Sequence, residues 1–111
     1  MEHLGNGLEH RWGRRFRVNI PVHVSAAALA RVGGCMKNLS LSGALMKSDC
    51  DLRLNTLIEV RIELPPPSPR AAVIKAHVSR KLKEGVGIEW CEFAPTIVKD
   101  LLRSPSVRFP P

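Results

Sequence analysis

The sequence predicts a mainly β domain: an antiparallel barrel or sandwich of about six short strands, preceded by a flexible arm and followed by one C-terminal helix. Three observations carry this reading. Apolar and polar residues alternate with period two in several separate stretches, as strands with one buried face do. Clusters of Gly, Pro, Asn and Ser interrupt those stretches at short intervals. The period changes once, after Pro95, to that of a helix.

Taken in order, residues 1–14 have three glycines and no apolar period, and are read as an arm. The globular part is expected over 15–103 and a loose tail over 104–111. From Phe16 the alternation is strict, with Val18, Ile20, Val22 and Val24 on the same face and Arg17, Asn19, Pro21 and His23 between them. Pro21 has no backbone N–H, so this strand is expected to have a free side or a bulge there. Small residues from Ser25 to Ala30 are expected to let it fade, and Gly33-Gly34 to mark a turn or bulge. Val32 to Leu39 reads as a second strand, Ser40 to Gly43 as a turn, and Ala44 to Met46 as the start of a third strand. Ser48 to Asn55 is polar and irregular. Leu57 to Leu64 alternates again, and the run Pro65-Pro66-Pro67-Ser68-Pro69 reads as a stiff loop. Ala72, Ile74, Ala76 and Val78 form the next face, Arg80 to Glu84 a charged hairpin loop closing at Gly85, and Val86, Ile88 and Trp90 the last strand. Trp90 is expected in the core. Pro95 suits a first helical turn, and Ile97, Val98, Leu101 and Leu102 then share one face that would cover an open end or edge of the barrel.

The bulk properties narrow the function. A chain of 111 residues is one domain, and its 44% apolar and 24% charged content is that of a globular protein. No apolar run approaches the roughly 20 residues of a membrane span, and the polar first ten residues do not resemble a secretory signal, so a cytoplasmic location is expected. The three cysteines, Cys35, Cys50 and Cys91, contain no C-x-x-C pair and read as reduced thiols. His3, His10, His23 and His77 are scattered without metal-ligand spacing, and no catalytic set of nucleophile and base stands out, so neither a metal nor an enzymatic activity is expected. The net charge of +7 and pI near 10.0 point to an anionic partner. A basic barrel for single-stranded nucleic acid is a rival reading, but three Phe, two Trp and no Tyr make a poor stacking platform.

Two short runs are more specific. Arg11-Trp12-Gly13-Arg14-Arg15 contains R-x-x-x-R, and Asn38-Leu39-Ser40-Leu41-Ser42-Gly43 is N-x-S-x-x-G. With eleven arginines in the chain, the first pattern arises by chance about once; the second, allowing Asn or Asp first, about 0.03 times. Among Arg11, Arg14, Arg15 and Arg17, only Arg11 and Arg15 stand four apart, and Arg17 alternates outward on the first strand.

With Pro21-Val22 ending the first strand pattern and Gly85-Val86-Gly87-Ile88-Glu89 in the last, these runs resemble the PilZ domain, a family of receptors for the bacterial second messenger cyclic di-GMP. The resemblance spans roughly residues 10 to 103. It implies a six-stranded antiparallel β-barrel with a C-terminal helix, and a non-catalytic role in second-messenger signalling of the kind that governs motility and biofilm formation. It further implies Arg11, Arg15, Asn38, Ser40 and Gly43 as ligand-binding residues, with His10 and Arg14 as accessory contacts. Arginine forks onto phosphate oxygens or guanine O6 and N7, and stacks on the base. Asn38 and Ser40 are expected at a guanine edge, and Gly43 to permit a backbone angle or a close approach. Many relatives carry Asp where Asn38 stands. The arm is expected to close over the ligand and so signal to a partner protein. An interaction module with a silent ligand site is the other reading that the resemblance leaves open.

Overall fold

The computed structural model describes residues 15–27, 29–63 and 71–103, the backbone alone for 29 and 30. The expected arm (1–14) and tail (104–111), Leu64 and the proline run therefore lie outside the described residues. Among the described residues there are six strands: β1 (Phe16–Ala26), β2 (Leu29–Leu39), β3 (Gly43–Ser48), β4 (Leu57–Glu63), β5 (Ala71–Leu82) and β6 (Gly85–Trp90). One described helix, α1 (Thr96–Arg103), follows them. The strands close into a barrel in the order β1-β2-β3-β6-β5-β4, every neighbouring pair antiparallel.

The alternation explains the barrel. Val18, Ile20, Val22 and Val24 of β1, Ile58, Val60 and Ile62 of β4, and Ile74, Ala76 and Val78 of β5 are all buried, while their polar neighbours face out. Met36, Leu39 and Met46 fill the opposite wall and are completely buried. A small barrel has an interior just wide enough for these side chains. Helix α1 adds Val98 and Leu101 to the same core, with Ile97 and Leu102 packed against it.

Several local expectations are corrected. β1 ends at Ala26, within the stretch where it is expected to fade, but β2 starts at Leu29 rather than Val32, and Ala26 pairs with Leu29. Gly33 and Gly34 are mid-strand, opposite His23 and Val22. The reason is space: a Cβ at Gly34 would lie 2.7 Å from the Lys47 carbonyl of β3, so this glycine lets two strands approach. Pro21 pairs with Cys35, just beyond the stretch Val22–Ser25 that pairs with β4, which is the one-sided setting a strand proline requires. β5 extends to Leu82 and pairs with Gly85, so the charged hairpin turn is only Lys83-Glu84 and Arg80 belongs to the strand. The polar segment before β4 is irregular, as expected, and it is also tethered. Leu52 is buried, and Lys81 donates to the Leu52 carbonyl at 2.9 Å and pairs with Asp51. That hydrogen bond and charge hold the Asp51 carboxyl below its ordinary value.

Candidate functional site

Two strand irregularities shape the outer face of the barrel. Between β2 and β3, Met36 pairs with Met46 but Asn38 with Leu45, so Lys37 is an extra residue on β2. Between β5 and β6, Val78 pairs with Ile88 but Arg80 with Gly87, so Ser79 is extra on β5. An extra residue reverses the in–out phase of whatever follows it. Met36 and Val78 are buried, and simple alternation would bury the residues two positions on. Instead Asn38 is half-buried and Arg80 exposed. Ser79 fixes its bulge by donating from Oγ to the Gly87 carbonyl at 3.1 Å. The pairings Asn38–Leu45, Leu45–Gly87 and Gly87–Arg80 then form one lateral row across β2, β3, β6 and β5.

Asn38 is fixed from two sides. Its Oδ1 accepts the Leu45 backbone N–H at 2.9 Å and Nη1 of Arg15 at 2.8 Å. The first bond also sets which amide atom is the oxygen, since only Oδ1 can accept an N–H. Arg15 is exposed, and its guanidinium pKa is lowered from the ordinary value by desolvation first and by the like charge of Arg80 second. The two cations therefore share one neighbourhood. The first residue of the turn motif and the second arginine of the arm motif, 23 positions apart, are thus in direct contact.

The turn itself is held by Ser40. This side chain is completely buried, and its hydroxyl oxygen accepts the Gly43 N–H at 3.1 Å and the Ser42 N–H at 3.3 Å, while donating to the Gly43 carbonyl or meeting Ser42 Oγ. Ser40 therefore builds the turn from within. Gly43 is demanded by β6, because a Cβ there would lie 2.0 Å from the Ile88 carbonyl oxygen. The close approach expected at Gly43 is that of a neighbouring strand. Three successive carbonyls of the turn face partners at the end of β6 and just beyond it: Ser40 O accepts Trp90 Nε1 at 3.1 Å, Leu41 O the Ala94 N–H at 3.1 Å, and Ser42 O the Trp90 N–H at 3.0 Å. Trp90 is buried as expected, and its indole N–H has a partner.

Of the residues singled out by sequence, Arg15, Asn38, Ser40 and Gly43 come together along one strand end and turn. His10, Arg11 and Arg14 lie outside the described residues. Among the described residues no group of three or more His, Cys, Asp or Glu could hold a metal ion, and no helix is long and apolar enough to cross a membrane. Sequence reading missed Arg80. The available signal was a charge two positions after Val78, where alternation asks for an inward apolar residue.

A family model for the PilZ domain matches residues 9–104. The chain belongs to the PilZ domain family. PilZ domains are known as cyclic di-GMP receptors and are generally binding modules rather than enzymes. The barrel is also similar to the crystal structure of the PilZ domain of CeSA from a cellulose-synthesizing bacterium, with a TM-score of 0.64 and 21% identity over 81% of this chain and 99% of that one. At that identity the likeness speaks for the shared PilZ fold. No curated protein matches this chain significantly.

Proposed function

We propose that this PilZ domain is a receptor for cyclic di-GMP, that its R-x-x-x-R and N-x-S-x-x-G runs form the binding site, and that the arm of residues 1–14 closes over the ligand to signal to a protein partner. The observation that carries this reading is the 2.8 Å bond from Arg15 to Asn38, which joins the two runs on the outer face of a barrel whose interior is already filled.

The contacts of Asn38 define an exchange. Both lone pairs of Asn38 Oδ1 are occupied, one by Leu45 N–H and one by Arg15. When Arg15 turns to a phosphate or a guanine Hoogsteen edge, it frees one of them for a guanine N–H. A phosphate would give Arg15 an anionic partner, stronger than the neutral amide it leaves. Arg11 and Arg14, with His10 ahead of them, bring further donors from the arm, and ligand contacts offset the entropy of ordering it. Ser40 and Gly43 serve by holding the turn, and with it Asn38, in place. The arm is the bistable element, and its ordered form is what a partner reads.

Isothermal titration calorimetry with cyclic di-GMP tests this directly. Wild-type protein is expected to bind in a saturable, exothermic reaction, and Arg15→Ala to weaken binding about tenfold or more, as loss of a charged hydrogen bond does. No heat from the wild type at tens of micromolar protein, or equal affinity of the variant, sinks the reading.

A further inference from the structure

We infer that Arg80 is a further ligand-binding arginine, and that the site extends from Asn38 across Leu45 and Gly87 to reach it. The inference rests on the proposed nucleotide-binding role of the Arg15–Asn38 end.

Four observations converge on it. The first is the lateral row itself, in which Asn38 and Arg80 are the two polar ends and half-buried Leu45 and side-chain-less Gly87 the floor. Strands spaced about 4.8 Å apart put roughly 14 Å between its ends, a span that suits a ligand with two bases and two phosphates and exceeds what one base needs. The second is that each end is turned outward by its own bulge, at Lys37 and at Ser79, with the second pinned by the Ser79–Gly87 bond. Bulges that re-aim a side chain concentrate beside functional sites.

The third is how Arg80 lies. A Cβ built on Gly87 would stand 3.2 Å from Arg80 Nε and 3.7 Å from Nη2, so the side chain folds back over β6 along the row instead of extending into solvent. Gly87 is buried under it. The fourth is that, among the described residues, Arg80 has no hydrogen bond or ion pair. Its guanidinium keeps its donors for an external acceptor while standing close enough to Arg15 to disfavour that residue's charge. Two cations that no described carboxylate neutralises, over an apolar, bare floor, suit an anion such as a phosphate, which would relieve their mutual repulsion. The floor accommodates the face of a base, and a guanidinium at its edge can fork onto guanine O6 and N7 or onto a phosphate, or stack on the ring. Arg80 therefore takes the half of the dinucleotide that Arg15 and Asn38 leave free.

The test is calorimetry of the full chain and its variants with cyclic di-GMP and, separately, with GMP. Arg80→Ala is an exposed change and is expected to leave the melting temperature near that of the wild type. It should weaken cyclic di-GMP binding about tenfold, and erase most of the preference for the dinucleotide over GMP. Arg80→Lys should recover only part of the loss, because an ammonium neither forks nor stacks in the same way. Gly87→Ala should push Arg80 off the row and weaken binding without changing charge. If the wild type binds but Arg80→Ala binds equally well, the inference fails and the receptor reading stands. Full rescue by Lys reassigns Arg80 to a distant charge and overturns the contact. A wild type that does not bind overturns both.

Discussion

Ser40 and Gly43 sit in one motif but are constrained by different physics, and substitutions separate them. Ser40→Ala removes the acceptor of two turn N–H groups inside a fully buried site. A buried donor left without a partner costs about 1–3 kcal/mol. The unfolding free energy should fall by that amount, read as a lower urea midpoint at constant m-value, because the alanine itself fits the space. Gly43→Ala is a steric fault. The new Cβ would sit 2.0 Å from the Ile88 carbonyl oxygen, a backbone atom of a central strand that cannot rotate away. β3 and β6 must separate, at a cost of about 3 kcal/mol or more, and this variant should be recovered largely unfolded. Equal stabilities for the two would mean that the turn tolerates more than its geometry allows. Asn38 stands between these cases: the Leu45 N–H needs its oxygen for the fold, and Arg15 uses the same oxygen at the surface.

Between elements, the link with the most consequence runs from the motif turn to the end of β6. Ser40, Leu41 and Ser42 offer three successive carbonyls to Trp90 and Ala94, and Ala94 adopts a φ of 49°, a left-handed conformation that costs a non-glycine residue about 1 kcal/mol or more. The segment leading into α1 is thus held against the turn despite that cost. Trp90→Phe keeps most of the buried ring but leaves Ser40 O without its indole donor. Stability should drop by about 1–3 kcal/mol, with faster hydrogen exchange at the Ala94 and Gly43 amides. Unchanged exchange there would show that the three bonds act independently. This link was not legible in the sequence, where Trp90 reads only as a core residue on an alternating strand. The strands were legible because period-two alternation is the direct imprint of a half-buried sheet. So was the motif turn, whose three polar or small residues are rare at that spacing. The bulges were not: a single extra residue at Lys37 or Ser79 leaves composition untouched and changes only phase, so Arg80 reads as part of a loop until its pairing with Gly87 is seen. Gly33-Gly34 misled for a related reason, since a glycine that permits strand approach looks the same in sequence as one that permits a turn.

For the molecule as a whole, a closed barrel with a filled core leaves little room for the ligand to act by reshaping the fold. Every strand has two neighbours and no edge to open. On the proposed reading, ligand energy appears as added stability of an unchanged barrel, and linkage gives its size. Free ligand at about 100 times its dissociation constant stabilises the native state by about 2.7 kcal/mol, which for a domain near this length raises the melting temperature by on the order of 10 °C. Cyclic di-GMP should produce that shift, and GMP at the same concentration a much smaller one. The net charge of +7 adds a second dependence. Clustered cations around an anionic ligand are screened by salt over a Debye length of about 10 Å at 0.1 M, so the shift should shrink steadily between low and moderate ionic strength. A thermal shift indifferent to salt would place binding away from the arginines. A salt-dependent shift produced equally by any polyanion would instead mark the basic surface as unselective, and would count against the proposed row from Asn38 to Arg80 as a site for a guanine dinucleotide.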